Sequence, residues 1–234
     1  MSDLNQVSVA ILAGGLGTRL RPVVGDQPKV LAAVAGRPFL AILLEWLARA
    51  GARRVVLCTG YRGDLVRQEL GQRFGPIDLI YSQEDRPLGT AGALRLAYPW
   101  LDSELVLALN GDSFCQVDLA AMLRWRAARS APALMLLTWA KDAARYGQVE
   151  LAPDGVVSAF GEKQPQGGPG WINAGVYLLE RRLLETIPPD REVSLEREVF
   201  PAWVGQGLHG YAEGRRFLDI GTPESFAQAQ GFFA

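Results

Sequence analysis

The segment GGLGTR at residues 14–19 places three glycines and an arginine directly after an apolar run. Backbone N–H groups of glycines can close on phosphate oxygens, and Arg19 can add a charge-assisted, bidentate contact. Lys29 follows in the segment DQPKVL and is one of only three lysines among 24 basic residues. Glycines can also form a purely structural tight turn. Together these residues favour a site for an anionic ligand.

Two common phosphate loops do not fit this segment. A Walker loop requires Gly-Lys followed by Ser or Thr, and no such pair follows the glycines. A dinucleotide fingerprint requires a small residue where Leu20 stands, and it favours an acid at the end of the second strand, where residues 58–60 read CTG. The loop therefore argues against a P-loop enzyme and against a dinucleotide-binding oxidoreductase.

Apolar runs alternate with helical periodicities through the first half of the chain and would place this loop at the end of a strand. Predicted strands cover residues 7–12, 55–59, 77–81 and 105–109. Predicted helices cover residues 38–50, 64–70, 90–97 and 118–129. Strands interleaved with helices indicate a parallel α/β sheet, whose ligands bind at the carboxyl ends of the strands.

The pattern changes after residue 131, where strand-like segments follow one another. Predicted strands cover residues 133–139, 148–151, 156–160, 172–179 and 216–220, and predicted helices cover residues 181–187 and 195–205, with another helix starting at Thr222. We therefore predict a single α/β domain over residues 1–234. Its fold would be a Rossmann-like, doubly wound, mainly parallel sheet with a small additional antiparallel sheet in the second half.

The composition narrows the classes of partner and the compartment. A net charge of −1 gives no overall attraction to nucleic acid or to anionic membranes. The first residues lack the pattern of a signal peptide, and no apolar run reaches membrane-spanning length. Cys58 and Cys115 match no metal-binding spacing and are expected to be reduced thiols. We expect a cytoplasmic protein without nucleic-acid or membrane partners.

Several segments, taken in order, resemble the signature of the sugar-1-phosphate nucleotidyltransferases, which join a nucleoside triphosphate to a phosphosugar. Besides the glycine loop and Lys29, they are PLGTAGA at residues 87–93, LNGD at 109–112, RYG at 145–147, FGEK at 160–163, INAGVY at 172–177 and LDIGTPE at 218–224. Each is weak alone, but their order over residues 7–225 is specific. The resemblance implies the nucleotidyltransferase fold, which is GT-A-like.

The resemblance also implies a reaction. Within the family, the segments are most similar to the guanylyltransferases for D-glycero-α-D-manno-heptose-1-phosphate. This similarity implies transfer of GMP from GTP with release of pyrophosphate, giving GDP-heptose for bacterial lipopolysaccharide or capsule. Mannose-1-phosphate guanylyltransferase and the glucose-1-phosphate thymidylyl- or uridylyltransferases are alternatives. A non-catalytic nucleotide-sugar-sensing subunit on the same fold is the alternative from another class, and relatives include homo-oligomers.

Roles at individual positions follow from the resemblance alone. It implies Mg²⁺ as cofactor, held by Asp112 and Asp219, with Arg19 and Lys29 completing the catalytic set. Residues 1–130 would form the nucleotide-binding half and residues 131–234 the sugar-phosphate-binding half. The implied nucleotide contacts are Leu12, Gly14, Gly15, Gly17, Thr18, Arg19, Gln83, Gly89, Thr90 and Asp112. Among them, Gln83 and Gly89 would line the base pocket, and residues 87–93 would form the loop on the nucleobase side. The implied sugar-phosphate contacts are Asn110, Gly147, Glu162, Lys163 and Asn173.

Overall fold

A ten-stranded mixed sheet runs through the centre of the molecule in the computed structural model, which describes residues 4–161 and 168–233. The strands are β1 (Ser8–Leu12), β2 (Ala33–Val34), β3 (Arg37–Pro38), β4 (Arg54–Thr59), β5 (Arg73–Phe74), β6 (Ile77–Gln83), β7 (Leu105–Asn110), β8 (Ser113–Cys115), β9 (Ala133–Ala140), β10 (Gln148–Leu151), β11 (Val157–Gly161), β12 (Gly170–Glu180), β13 (Leu208–Gly214) and β14 (Phe217–Asp219). Of these, β2 pairs with β3 and β8 pairs with β14 in two small separate sheets.

The four strands predicted in the first half are confirmed and form the parallel centre of the large sheet, in the order β7-β1-β4-β6. Their apolar side chains are buried on both faces because helices cover both sides. The helices are α1 (Arg21–Val24), α2 (Phe39–Arg49), α3 (Gly63–Leu70), α4 (Gly89–Ala97), α5 (Leu119–Arg129), α6 (Arg181–Glu185), α7 (Phe200–Trp203) and α8 (Pro223–Ala229). Among the described residues, no helix has the length and hydropathy to cross a bilayer.

Strands of the second half extend the same sheet with antiparallel pairing. β12 runs antiparallel to β7 and also pairs with β9 and β10, and β11 lies at the edge beyond β10. The predicted fold class is confirmed, with mixed α/β architecture and small antiparallel sheets. β13, which pairs in parallel with β9, has no counterpart among the predicted strands.

The predicted helix over residues 195–205 is two shorter elements. A π-helical turn covers Leu195–Val199, and α7 follows and ends at Trp203. Pro201 explains part of the break, because proline has no backbone N–H to donate and is accepted in the first turn of a helix. The segment that leads into the π-helical turn packs against the start of α4 through Val193.

Candidate active site

The glycine loop leaves the carboxyl end of β1 and packs directly against the lysine segment. The N–H group of Ala13 donates to the carbonyl of Cys58 at 2.8 Å, which fixes the start of the loop beside β4. Gly17 has φ +60°, and a Cβ placed on it would lie 3.0 Å from Cβ of Lys29. A side chain at Gly17 would therefore push the loop away from Lys29.

A cleft of about 370 Å³ opens at this edge of the sheet, between the glycine loop and the carboxyl end of β7. Among the residues implied by the family resemblance, it is lined by Leu12, Gly14, Gly15, Lys29, Gly89, Thr90, Asn110 and Asp112. Gly17, Thr18 and Arg19 belong to the same loop but do not line the cleft, and Thr18 and Arg19 are exposed. The cleft lies where open α/β sheets bind their ligands.

Asp112 follows β7 after a single glycine and faces the lysine. Its carboxylate forms an ion pair with the ammonium group of Lys29, whose side chain is only 14% exposed. Gly111 makes the turn possible, since a Cβ there would lie 2.6 Å from the carbonyl oxygen of Leu12. The negative charge of Asp112 is therefore neutralised by the positive charge of Lys29.

Asp219 is brought beside Asp112 by the pairing of β8 with β14. It stands opposite Ser113 in that pair, and the N–H group of Ile220 donates to the backbone carbonyl of Asp112 at 2.9 Å. Arg19 reaches the same turn, because a Cβ on Gly221 would lie 3.6 Å from the Arg19 guanidinium. The two aspartates, far apart in sequence, therefore lie together at one end of the β8–β14 pair, beside the glycine loop.

Three neutral donors hold the Asp219 carboxylate. Its Oδ1 accepts from the N–H group of Gly221 at 2.8 Å and from the hydroxyl of Ser225 at 3.1 Å. Its Oδ2 accepts from the Tyr146 hydroxyl at 2.5 Å. Among the described residues, no lysine, arginine or histidine forms an ion pair with Asp219.

The carboxylates of Asp112 and Asp219 are suitable ligands for Mg²⁺. No group of three or more His, Cys, Asp and Glu side chains suited to a metal occurs among the described residues. Magnesium, however, is usually held by one or two carboxylates together with substrate phosphates rather than by an all-protein cage. Two carboxylate-bearing turns beside a lysine and an arginine match that requirement.

The far end of the cleft is built from both halves of the chain. Backbone N–H groups of Ala91 and Gly92 donate to the carbonyl of Val193 at 2.9 and 3.2 Å, and the N–H group of Val193 donates to Leu88 at 2.8 Å. Gly89 has φ +71°, and a Cβ there would lie 2.5 Å from the Val193 carbonyl oxygen. The requirement for glycine at position 89 therefore comes from this internal contact.

Thr90 is also engaged within the protein. Its hydroxyl donates to a carboxylate oxygen of Glu196 at 2.8 Å and accepts from the N–H group of Leu195 at 2.8 Å. These bonds tie the start of α4 to the π-helical turn and hold Glu196 at the wall of the cleft.

Three carboxylates that the sequence reasoning missed line this cleft: Glu84, Glu192 and Glu196. Glu84 accepts from the N–H group of Leu88 at 3.0 Å, and its Oε1 lies 3.0 Å from a Cβ placed on Gly14. Burial raises the pKa of Glu84 and the nearby Glu192 carboxylate adds to this, although the hydrogen bond from Leu88 opposes it. The sequence contains one signal for Glu84. It directly follows the strand β6 and lies three residues before the PLGTAGA segment.

Gln83 lies on the other side of Glu84. Its side chain is exposed and lines a neighbouring hollow together with Tyr61 and Arg86. That hollow also includes Gly14 and Glu84. Gln83 therefore lies beside the glycine loop, although it does not line the cleft that contains Lys29.

Three of the five implied sugar-side residues, Asn110, Gly147 and Asn173, form one connected group. The side-chain amide of Asn173 donates to the Tyr177 hydroxyl at 2.8 Å, and its backbone N–H donates to the Gly147 carbonyl at 3.3 Å. Gly175 has φ +73°, and a Cβ there would lie 2.9 Å from the side-chain nitrogen of Asn110. The side-chain oxygen of Asn110 is buried without a hydrogen-bond partner among the described residues. Glu162 and Lys163 lie outside the described residues.

Comparisons with known proteins agree on one family. The model of the nucleotidyl transferase family matches residues 8–234. Mannose-1-phosphate guanylyltransferase from Mycobacterium tuberculosis is 36% identical over 96% of this chain and 64% of its own length. D-glycero-α-D-manno-heptose 1-phosphate guanylyltransferase from Aneurinibacillus thermoaerophilus is 34% identical over 94% of this chain and 95% of its own length.

Solved structures give the same result. The crystal structure of HddC from Yersinia pseudotuberculosis has a TM-score of 0.87 and 32% identity, covering 97% of this chain and 100% of that chain. The same protein complexed with GMP-PN has a TM-score of 0.85 and 31% identity, over the same shares of both chains. The chain thus spans just under two thirds of the mycobacterial relative and nearly all of the shorter relatives.

Proposed function

The chain belongs to the nucleotidyl transferase family, and from this premise we propose that it is a sugar-1-phosphate guanylyltransferase. The reaction transfers GMP from GTP to D-glycero-α-D-manno-heptose-1-phosphate, releases pyrophosphate and gives GDP-heptose for bacterial surface polysaccharide. The similarity to HddC and to the Aneurinibacillus enzyme supports the heptose substrate. The mycobacterial relative makes mannose-1-phosphate the second candidate, since it is 36% identical. We place the reaction in the cytoplasm.

The observation that carries this proposal is the ion pair of Lys29 and Asp112 packed under the glycine loop. The reaction needs in-line attack by a sugar phosphate oxygen on the α-phosphorus of the triphosphate. Both reactants are anions, and the attacking oxygen is already ionised at neutral pH, so the chemistry requires no general base. Catalysis can then rest on positioning and on stabilisation of charge.

In this mechanism the positively charged side chains bind the phosphate groups. Lys29 and the N–H groups of the glycine loop bind the triphosphate, and Arg19 neutralises the pyrophosphate as it leaves. Family members generally use a divalent metal, and we assign Mg²⁺ to Asp112 and Asp219. Mg²⁺ held there would neutralise the negative charge of the phosphates.

Glu84 is well placed to recognise the nucleobase by hydrogen bonds. Guanine presents two adjacent donors, N1–H and the N2 amino group, and a carboxylate can accept from both at once. Adenine, cytosine and uracil do not present that pair. We therefore assign the base contact to Glu84, which lines both the cleft and the neighbouring hollow, in place of Gln83, which lines the hollow alone. The guanine nucleotide in the HddC complex supports this choice of base.

The division into two halves needs one adjustment under this proposal. Residues 1–130 supply the phosphate and base contacts, and residues 131–234 supply the sugar contacts through Gly147 and Asn173, together with Glu162 and Lys163. Residues 190–196 nevertheless pack on the base loop through Val193. We propose that this segment belongs to the nucleotide side of the cleft.

A matrix of substrates tests the function. Pyrophosphate release is measured for GTP, ATP, UTP, CTP and dTTP, each crossed with heptose-, mannose- and glucose-1-phosphate, in Mg²⁺. We expect GTP with the heptose phosphate to give the highest kcat/KM. Highest activity with mannose-1-phosphate would show instead that the enzyme is a mannose-1-phosphate guanylyltransferase. Binding of GDP-heptose without pyrophosphate release from any pair would instead support a sensing subunit.

A further inference from the structure

The loop that carries Arg145 and Tyr146 reaches across to the turn after β14. The Arg145 guanidinium donates to the Thr222 hydroxyl at 3.0 Å, and the Tyr146 ring packs edge-on against Phe217 with a centroid distance of 5.5 Å. The next residue, Gly147, accepts a backbone hydrogen bond from Asn173. One short segment therefore joins the proposed sugar side to the turn that holds Asp219.

The two oxygens of the Asp219 carboxylate depend on different parts of the chain. Oδ1 is held locally, by Gly221 and Ser225 of the turn and helix that follow it. Oδ2 is held from a distance, since among the described residues its one donor is the Tyr146 hydroxyl. Rotation of the carboxylate about its Cβ–Cγ bond is therefore limited at one oxygen by the neighbouring turn and at the other by Tyr146.

We propose that Tyr146 is a positioning residue, which acts through Asp219 to set how tightly the site holds a divalent cation. The proposal rests on the function proposed above, in which Asp219 is a ligand of Mg²⁺. Tyr146 itself need not touch the cation or the substrates. Outer hydrogen-bond partners of metal ligands fix the orientation of those ligands, and their loss commonly costs about 10- to 100-fold in metal affinity or activity.

The phenol suits this role because it remains a donor. A tyrosine hydroxyl has an ordinary pKa of about 10. The hydroxyl is therefore protonated at neutral pH and donates to the carboxylate. Hydrogen bonds from a hydroxyl to a carboxylate are charge-assisted and are stronger than bonds between two neutral groups.

The test is Tyr146→Phe, which removes one hydroxyl and keeps the ring against Phe217. Mn²⁺ replaces Mg²⁺ as a paramagnetic probe, and free Mn²⁺ is titrated by electron paramagnetic resonance in the presence of GTP. We expect the variant to bind Mn²⁺ about 10-fold more weakly than the wild type. In turnover, the apparent KM for Mg²⁺ should rise by a similar factor, while kcat at saturating Mg²⁺ changes by less than about threefold.

Tyr81→Phe is the matched control. The Tyr81 hydroxyl also makes one hydrogen bond, to the Gly71 carbonyl at 2.5 Å, and it lies on β6 outside the cleft. The control should bind Mn²⁺ like the wild type. Thermal melting of both variants shows whether either loss reflects unfolding.

The outcomes separate this inference from the proposed function. Unchanged Mn²⁺ affinity in a folded Tyr146→Phe protein, alongside normal wild-type turnover, would overturn the positioning role alone. A loss of kcat with no change in the Mg²⁺ or Mn²⁺ dependence would overturn it as well. Absence of both Mn²⁺ binding and pyrophosphate release in the wild type would overturn the proposed function, and this inference with it.

Discussion

The two aspartates beside the β8–β14 pair are held in opposite ways. Asp112 forms an ion pair with Lys29, whereas Asp219 accepts hydrogen bonds from neutral donors and forms no ion pair with any described residue. A cationic partner neutralises a carboxylate, while neutral donors orient it and leave its charge in place. The site therefore contains one compensated carboxylate and one oriented carboxylate.

This difference suits a site whose ligands carry both signs of charge. Lys29 can turn from Asp112 to a triphosphate, which leaves the Asp112 carboxylate free for a cation. Asp219 needs no such exchange, because no cation in the described part of the chain pairs with its carboxylate. Without its ligands, the protein avoids two adjacent uncompensated carboxylates, which would repel each other.

Asp112→Asn should have the largest effect on this arrangement. We expect turnover to fall by about 10²- to 10³-fold, because the variant keeps the backbone bond to Ile220 but loses the charge that a cation and Lys29 both use. The measurement is pyrophosphate release at saturating GTP and sugar phosphate in Mg²⁺. Asp102→Asn is the control, since Asp102 pairs with Arg54 away from the cleft. Near-normal turnover in a folded Asp112→Asn protein would remove Asp112 from the catalytic set.

Lys29→Met should come next. Loss of hydrogen bonds between charged groups costs about 1.5–3 kcal/mol, so we expect kcat/KM for GTP to fall by roughly 10- to 100-fold. Lys141→Met, a change at an exposed lysine, is the control and should have no effect. A double variant with Asp112→Asn tests the coupling: if Lys29 served only to neutralise Asp112, the double variant would be no worse than Asp112→Asn alone.

Glu84 extends the comparison to a third carboxylate, which has neither a cationic partner among the described residues nor the three donors of Asp219. Burial raises its pKa, so the folded protein binds more protons than the unfolded chain just above the ordinary carboxyl value of about 4.3. Glu84 therefore makes stability fall as pH rises through that window. Binding of guanine should instead strengthen as pH rises, because its two N–H donors require the ionised carboxylate of Glu84.

We therefore expect GTP affinity, measured by calorimetry, to weaken as pH falls from 7 towards 5. Glu84→Gln should flatten that profile, weaken GTP binding by about 10-fold and narrow the preference for GTP over ATP. An unchanged profile in this variant would assign the base contact elsewhere in the cleft.

Much of the fold follows from local patterns in the sequence. The four parallel strands are short apolar runs, such as the one that ends at Leu12, and such runs specify strands buried on both faces. The glycine loop and Lys29 lie together because both follow closely after β1. By contrast, β13 contains two of the glycines and a histidine, so its pattern is weak, and its pairing with β9 is decided by tertiary packing.

The acidic wall of the cleft could not be predicted for a related reason. Glu192 and Glu196 reach the site only because residues 190–196 fold back onto the loop before α4 through Val193, about a hundred residues away along the chain. No local pattern records a contact of that kind. The same packing accounts for Gly89, which the resemblance linked to the nucleobase and the structure links to the Val193 carbonyl.

Ser225→Ala should have the smallest effect and sharpens the difference between the two oxygens of Asp219. Ser225 donates to Oδ1 and takes part in the capping box of α8 with Thr222. We expect a loss of about 1 kcal/mol, seen as a fall of roughly 2–4 °C in Tm. Mn²⁺ affinity should change by less than about threefold, because the Gly221 N–H group still holds Oδ1. If Ser225→Ala weakened Mn²⁺ binding as much as Tyr146→Phe, orientation of the carboxylate would depend equally on both oxygens, and the separate contribution of the Tyr146 loop would be lost.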